Sequence, residues 1–398
     1  MADGVVSAPP APAPAKSRRL GQLDGLRAVL LAVVMAHHAV WAAPSYAIHW
    51  VQGAWAALDG FFVLSGFLIC GLLINEHDKV GSISYWRFLG RRILRLYPAL
   101  LVALATMATI SVTMNHIPFH QLVPTLRSSL LYTMNWGFGH NNSAPGFHNI
   151  FTAAEYTHFW SLALEFQFYL ALPIVVITLY RLKWSKRAWL VTFGVLMAAA
   201  AIARAVQWQG AAHFPGPYVY THTRADALLW GVVCALLLHW GWVGERFQRV
   251  LQWAGPVAIA YLVWVICAHS AMDAWTYDWG MIFSGLSGAV IVLWLVTSPR
   301  GPLSRVLGWR PIVYLGERSY SGYLWHYPVY FFVNAHLHTL TGRERVAAGV
   351  AITIALSDLT YRIVERPVFS LKDRLIPRRT AAAVPDVPDH VEPAAAPG

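Results

Sequence analysis

Apolar segments about as long as a bilayer is thick recur from Leu26 to Val364, and no polar block between them is large enough to be a soluble domain. A helix crosses the hydrocarbon core in about 20 residues. Ten such segments can be read, near 25–44, 53–74, 94–114, 158–180, 188–207, 220–239, 250–269, 278–298, 313–336 and 346–365. Charged residues make up 12% of the chain, about half the share of a soluble domain. The expected fold is therefore all-α: a polytopic bundle of about ten spanning helices over residues 20–376. Ala/Pro-rich tails at 1–19 and 377–398 lack the apolar residues to fold and are expected to be disordered. The stretch 121–136 is apolar but short and interrupted, which suits an interfacial or re-entrant helix.

Basic residues orient this layout. With the N-terminus in the cytoplasm, 23 of the 30 Lys and Arg residues fall on the inner side and five on the outer, with Arg27 and Arg362 inside spans. Both termini are then cytoplasmic, in a multi-pass protein of the plasma or inner membrane. No apolar signal core precedes Lys16, so the first span is expected to act as an uncleaved insertion signal. The net charge of +11 lies in short clusters between apolar runs. That is not the basic stripe of a nucleic-acid-binding face. Cys70, Cys234 and Cys267 sit within apolar runs and have neither a disulfide framework nor metal-ligand spacing. The outer segment 115–157 is long and contains His116, His120, His140 and His148. It reads equally as a functional loop or as a solvated cover. Asn141, Asn142 and Ser143 match a glycosylation sequon.

Polar groups inside spans carry the functional signal, because each costs about 2.5–3.5 kcal/mol to insert when charged. In the first span Arg27 and His38 are 11 residues apart, so they differ by about 20° and share a face about 16 Å long. Asp24 lies on the same side and His37 off it. In the fourth, His158, Ser161, Glu165 and Tyr169 form one stripe. In the sixth, Arg224 and Asp226 point in opposite directions, so each needs a partner on another helix. In the ninth, Tyr323 and His326 share a face.

Counting residues from the helix ends places His38, Glu165 and His326 in the outer third of the bilayer. One internal site is expected there, in which a carboxylate orients a histidine that acts as a general base. Near the inner face, Arg91, Arg92 and Arg95 open the third span, a grouping suited to phosphate. No Walker loop or dinucleotide fingerprint is present, and no metal site is expected.

Together these segments resemble the membrane-bound acyltransferase family 3, whose members acylate hydroxyls of cell-surface glycans and macrolide antibiotics. The resemblance rests on LDGLR at 23–27, the spacing from Arg27 to His38, DGFFVLSGFLI at 59–69 and RRILRLYPAL at 91–100. It continues through FWSLALEFQFYL at 159–170, RADALLWG at 224–231, YSGYLWHYPV at 320–329 and VERP at 364–367. It implies that His38 is the catalytic base with Arg27 in the same motif, that Arg92 and Arg95 meet acyl-coenzyme A, and that Glu165 is the motif carboxylate. Many relatives carry a second Glu where this chain has Phe166, which leaves Glu165 as the candidate.

The resulting expectation is an O-acyltransferase that moves an acyl group, acetyl by preference, from acyl-coenzyme A to a hydroxyl of a carbohydrate or glycosylated acceptor. His38, Glu165 and Arg27 are the catalytic candidates. Arg91, Arg92 and Arg95 are the candidates for acyl-coenzyme A. Asp24, Ser161, Tyr169, Arg224, Asp226, Tyr323, His326 and Glu365 are the supporting polar residues. No tightly bound cofactor is expected, acyl-coenzyme A being a co-substrate. The side from which the acceptor enters, a covalent acyl-His38 step and the oligomeric state stay open. A transporter of acyl groups or glycan intermediates would use the same residues to line its path, although transporters often carry internal repeats and none is visible here.

Overall fold

The computed structural model describes residues 20–44, 51–139, 150–210 and 216–377. The expected tails, Pro377 apart, lie outside the described residues, as do His140, His148 and the sequon. Among the described residues there is no strand.

The long helices are α1 (Gly21–His38), α2 (Trp55–Val80), α3 (Tyr85–Thr113), α6 (Trp160–Arg181) and α7 (Lys186–Gln207). They continue with α9 (Thr221–His239), α10 (Glu245–Ala268), α11 (Met281–Thr297), α14 (Ser319–His336) and α15 (Gly342–Thr360). Shorter helices are α4 (Phe119–Leu130), α5 (Met134–Gly139), α8 (Gly216–Val219), α12 (Pro302–Leu307), α13 (Arg310–Glu317) and α16 (Arg366–Leu375).

A helix therefore stands at each of the ten expected places. Among the described residues, eight helical segments are long and apolar enough to cross a membrane, and α9 and α14 are not among them. The first opens on polar residues and the second is rich in tyrosine and other aromatic residues, and most of each is buried against other helices. A helix wrapped by protein need not be apolar toward lipid. By contrast, α7 and α10 turn Val191, Val195, Ile202, Trp253 and Val257 outward. An apolar exterior of this kind suits hydrocarbon surroundings.

Two expected spans are broken. The segment 313–336 divides at Arg318 into α13 and α14, and 346–365 passes from α15 through a π-turn, Tyr361–Glu365, into α16. The stretch 121–136 divides between α4 and the start of α5, and the 12 residues of α4 rise about 18 Å, too short to span. That helix buries Leu122, Thr125, Ser128 and Ser129.

The central contact joins α2 and α9. A Cβ on Gly66 would lie 1.9 Å from the Leu228 carbonyl oxygen, and one on Gly231 would lie 2.0 Å from that of Val63. Only glycine permits this approach from both sides, the usual route to tight helix packing in a membrane. The seam fixes α2 against α9 and aligns two buried ion pairs. Arg224 reaches Asp59 of α2 at 2.7 Å, and Asp226 reaches Arg204 of α7 at 2.9 Å. Each side chain of Arg224 and Asp226 thus finds its partner on another helix, as their opposite directions require.

Candidate active site

The polar residues of the interior form two connected groups. The first is a layer of aromatic and imidazole rings where the C-terminal part of α1 meets α14 and the helical turn just before α6. Nδ1 of His38 lies 2.9 Å from Nε2 of His326, and Nδ1 of His326 lies 2.7 Å from the Tyr323 carbonyl oxygen. His158 packs beside them, its ring 5.5 Å from that of His326 and 5.0 Å from that of Tyr327. Tyr327 meets the His38 ring edge-on at 4.7 Å. His326 is fully buried and His38 only partly. His37 is turned away and donates from Nδ1 to the Val51 carbonyl at 2.7 Å.

The second group lines a cavity of about 600 Å3. It gathers the starts of α1, α6 and α14, the first part of α3 and one face of α2 from Leu58 to Asn75. Its polar wall holds Asp24, Arg27, Ser65, Arg92, Arg95, Ser161, Glu165, Tyr169 and Tyr323, and its apolar wall includes Leu58, Phe61, Phe62, Leu68 and Leu162. Arg27 pairs with Asp24 at 2.9 Å. Arg92 is buried, with its guanidinium 5.6 Å from the Tyr169 ring centre and 5.4 Å from that of Phe88. Among the described residues neither Arg92 nor Arg95 is ion-paired. Unpaired guanidiniums in a concave site are ready to take a bidentate anion.

Tyr323 joins the two groups. Its hydroxyl lies 2.6 Å from Ser161 Oγ and donates to the His158 carbonyl at 3.1 Å, while its main-chain carbonyl holds His326. Ser161 and Tyr323 of this hydrogen-bonded seam line the arginine cavity. His38 itself does not line that cavity.

Several expectations change. Glu165 does not meet His38. It accepts hydrogen bonds from Ser65 and Tyr169 and belongs to the arginine cavity. The reason is depth: Ser161, one turn earlier on α6, reaches the histidine layer through Tyr323, and a turn is about 5.4 Å. Counting from uncertain helix ends cannot resolve that difference. Arg91 leaves the cavity altogether, bonding Asp373 at 2.6 Å and the Ile376 carbonyl. It ties α16 to α3. Arg224 and Asp226 hold the α2–α7–α9 contact and do not line the cavity. Glu365, also outside the cavity lining, accepts from Ser321.

Three residues assigned no role from sequence matter here. Asp59 was visible as a lone carboxylate in an apolar run, the signal that singled out Glu165. Ser65 and Tyr327 lie inside quoted motifs but nothing singled them out there, because serine and tyrosine are ordinary in such helices. Among the described residues, no group of three or more His, Cys, Asp or Glu side chains is arranged to hold a metal ion.

The profile of one family, described as an acyltransferase domain, matches residues 20–362. The chain belongs to this family. It is 30% identical over 361 residues to the peptidoglycan O-acetyltransferase OatA of Listeria monocytogenes, covering 87% of this chain and 55% of that protein. It is 28% identical over 372 residues to YrhL of Bacillus subtilis, provisionally named a peptidoglycan O-acetyltransferase, covering 91% and 57%. The chain thus spans little more than half the length of these relatives. No solved structure matches it. The matched region contains α1 to α15, and with them both the histidine layer and the arginine cavity.

Proposed function

We propose that the chain is a membrane O-acetyltransferase that moves an acetyl group from acetyl-coenzyme A to a hydroxyl of a cell-wall glycan. Peptidoglycan is the favoured acceptor, by similarity to the named relatives. The observation that carries the reading is the seam at Tyr323, which sets a cavity with two unpaired arginines directly against a histidine pair. In this reading all ten long helices span, the N-terminus is cytoplasmic, and the arginine cavity opens to the cytoplasm. Phosphates of the donor rest on Arg92, Arg95 and Arg27, and its thioester arm runs along the apolar wall past Ser161.

The acceptor reaches His38 from the other side of the seam. His38 takes the hydroxyl proton as the oxygen attacks the thioester carbonyl, the carbon–sulfur bond breaks, and the proton passes to the leaving sulfur. Glu165, fixed by Ser65 and Tyr169, sets the charge of the donor cavity. It keeps the side chains around the thioester ordered and does not act on the acceptor. Other glycan or macrolide hydroxyls remain within the chemistry of the site.

The test is acetyl transfer by purified protein in detergent from acetyl-coenzyme A to a soluble peptidoglycan oligosaccharide. Micelles have no two compartments, so turnover there distinguishes catalysis from transport. His38→Ala should lower turnover by about 10²-fold or more, the contribution of a general base. Full transfer by His38→Ala would remove the proposed mechanism.

A further inference from the structure

The hydrogen-bond pattern around His326 fixes which nitrogen of His38 is free. The Tyr323 carbonyl oxygen can only accept, so Nδ1 of His326, 2.7 Å away, must donate. A neutral imidazole has one N–H and one acceptor nitrogen. Nε2 of His326 is therefore an acceptor, and Nδ1 of His38, 2.9 Å away, must donate to it. That leaves the free lone pair of His38 on Nε2. The alternative needs a doubly protonated His326, a cation with no exposure to solvent and no carboxylate among its hydrogen-bond partners. Burying such an unpaired charge is strongly unfavourable.

We propose that His326 is a positioning residue that holds His38 in the tautomer with Nδ1 protonated and thereby makes Nε2 of His38 the base. The inference rests on the reading of His38 as the base. In the reaction the acceptor hydroxyl loses its proton to Nε2 of His38, and the imidazolium so formed keeps its Nδ1–H bond to His326. His326 touches no reacting atom. It does the work that an orienting carboxylate does in the Ser-His-Asp arrangement, here with a neutral group suited to a buried site. The chain starting at the Tyr323 carbonyl has a further effect: the residue that lines the donor cavity and bonds Ser161 through its hydroxyl also orients the base through its main chain.

The test compares His326→Gln with His326→Leu in the full chain, using acetyl-coenzyme A and the same oligosaccharide, with His38→Ala alongside. Glutamine can place its amide oxygen near the position of Nε2 and accept from His38, whereas leucine fills space and accepts nothing. His326→Gln should keep kcat within about 10-fold of the parent, and His326→Leu should fall at least about 10-fold below His326→Gln, part of the 10²–10⁴-fold a general base supplies. KM for acetyl-coenzyme A should move less than about 3-fold in both, since neither residue contacts the donor cavity's arginines. If the leucine variant does not fold, His326→Asn replaces it. Its shorter amide reaches the Tyr323 carbonyl but not His38, so it must lose activity where glutamine keeps it. Full kcat in His326→Leu, or equal losses in the glutamine and leucine variants, overturns the inference. An inactive His38→Ala beside a fully active His326→Leu would remove this inference alone, whereas an active His38→Ala would remove the underlying reading.

Discussion

Replacing Arg224 with methionine should destabilise the folded protein by about 3–5 kcal/mol, the penalty for breaking a buried ion pair by removing one partner. Its guanidinium lies 2.7 Å from Asp59, and both side chains are 1% exposed. The loss leaves Asp59 with no cation on α9, and leaves Asp59 and Asp226 with only Arg204 near them. A unit charge pair at about 4 Å is worth about 4 kcal/mol in surroundings of intermediate polarity, the same scale as the expected penalty. Replacing both partners, Asp59→Leu with Arg224→Met, removes the uncompensated charge together with the pair, which is often neutral or even favourable. The double variant should therefore recover at least half of the loss seen in Arg224→Met. The assay is unfolding of purified protein in mixed micelles of increasing SDS fraction, followed by tryptophan fluorescence for the parent, both single variants and the double. Losses that simply add would mean that the two residues act independently, and the ion pair would not be what holds α2 to α9.

Arg92→Ala with Arg95→Ala should weaken coenzyme A binding by about 10²-fold or more, since each charge-assisted hydrogen bond contributes about 1.5–3 kcal/mol; equilibrium binding of labelled coenzyme A measures it. Arg91→Ala should change that affinity by less than about 3-fold, because its partners are Asp373 and the Ile376 carbonyl, and should instead speed proteolysis within 366–375. With the native cysteines removed, Ser82→Cys should resist a membrane-impermeant thiol reagent in intact cells while His120→Cys reacts. The reverse pattern would invert the proposed orientation.

Much of this architecture was legible because lipid imposes a simple rule on the sequence: long apolar runs, interrupted only where a polar residue has something to meet. The opposed directions of Arg224 and Asp226 on one helix required partners elsewhere, and Asp59 and Arg204 supply them. The shared face of Tyr323 and His326 likewise survives, with rings 5.1 Å apart. What the pattern could not resolve was position along the helix axis within a turn. Glu165 and Ser161 lie on one stripe, yet Glu165 serves the arginine cavity and Ser161 reaches Tyr323. Nor can periodicity separate Arg91 from Arg92. Neighbours on a helix differ by about 100°, and that Arg91 is the one that meets α16 shows only in a contact between residues 282 positions apart.

The polarity of α9 and α14 has a consequence for how the chain is made. Neither helix is apolar enough to leave water by itself, because Arg224 and Asp226 in one and the tyrosines and His326 in the other oppose transfer into lipid. Each is tolerated only beside the segments that cover it. For α9 most of the cover is α2 and α7, already synthesised when it emerges, with α11 added later, so it can enter against a prepared partner. For α14 part of the cover is α15, which has yet to be translated. In the proposed ten-span arrangement the helix bearing His326 therefore waits at the insertion site, or enters paired with α15 as a hairpin. In that arrangement the polar residues buried in α9 and α14 thus also constrain the order in which the helices can be assembled.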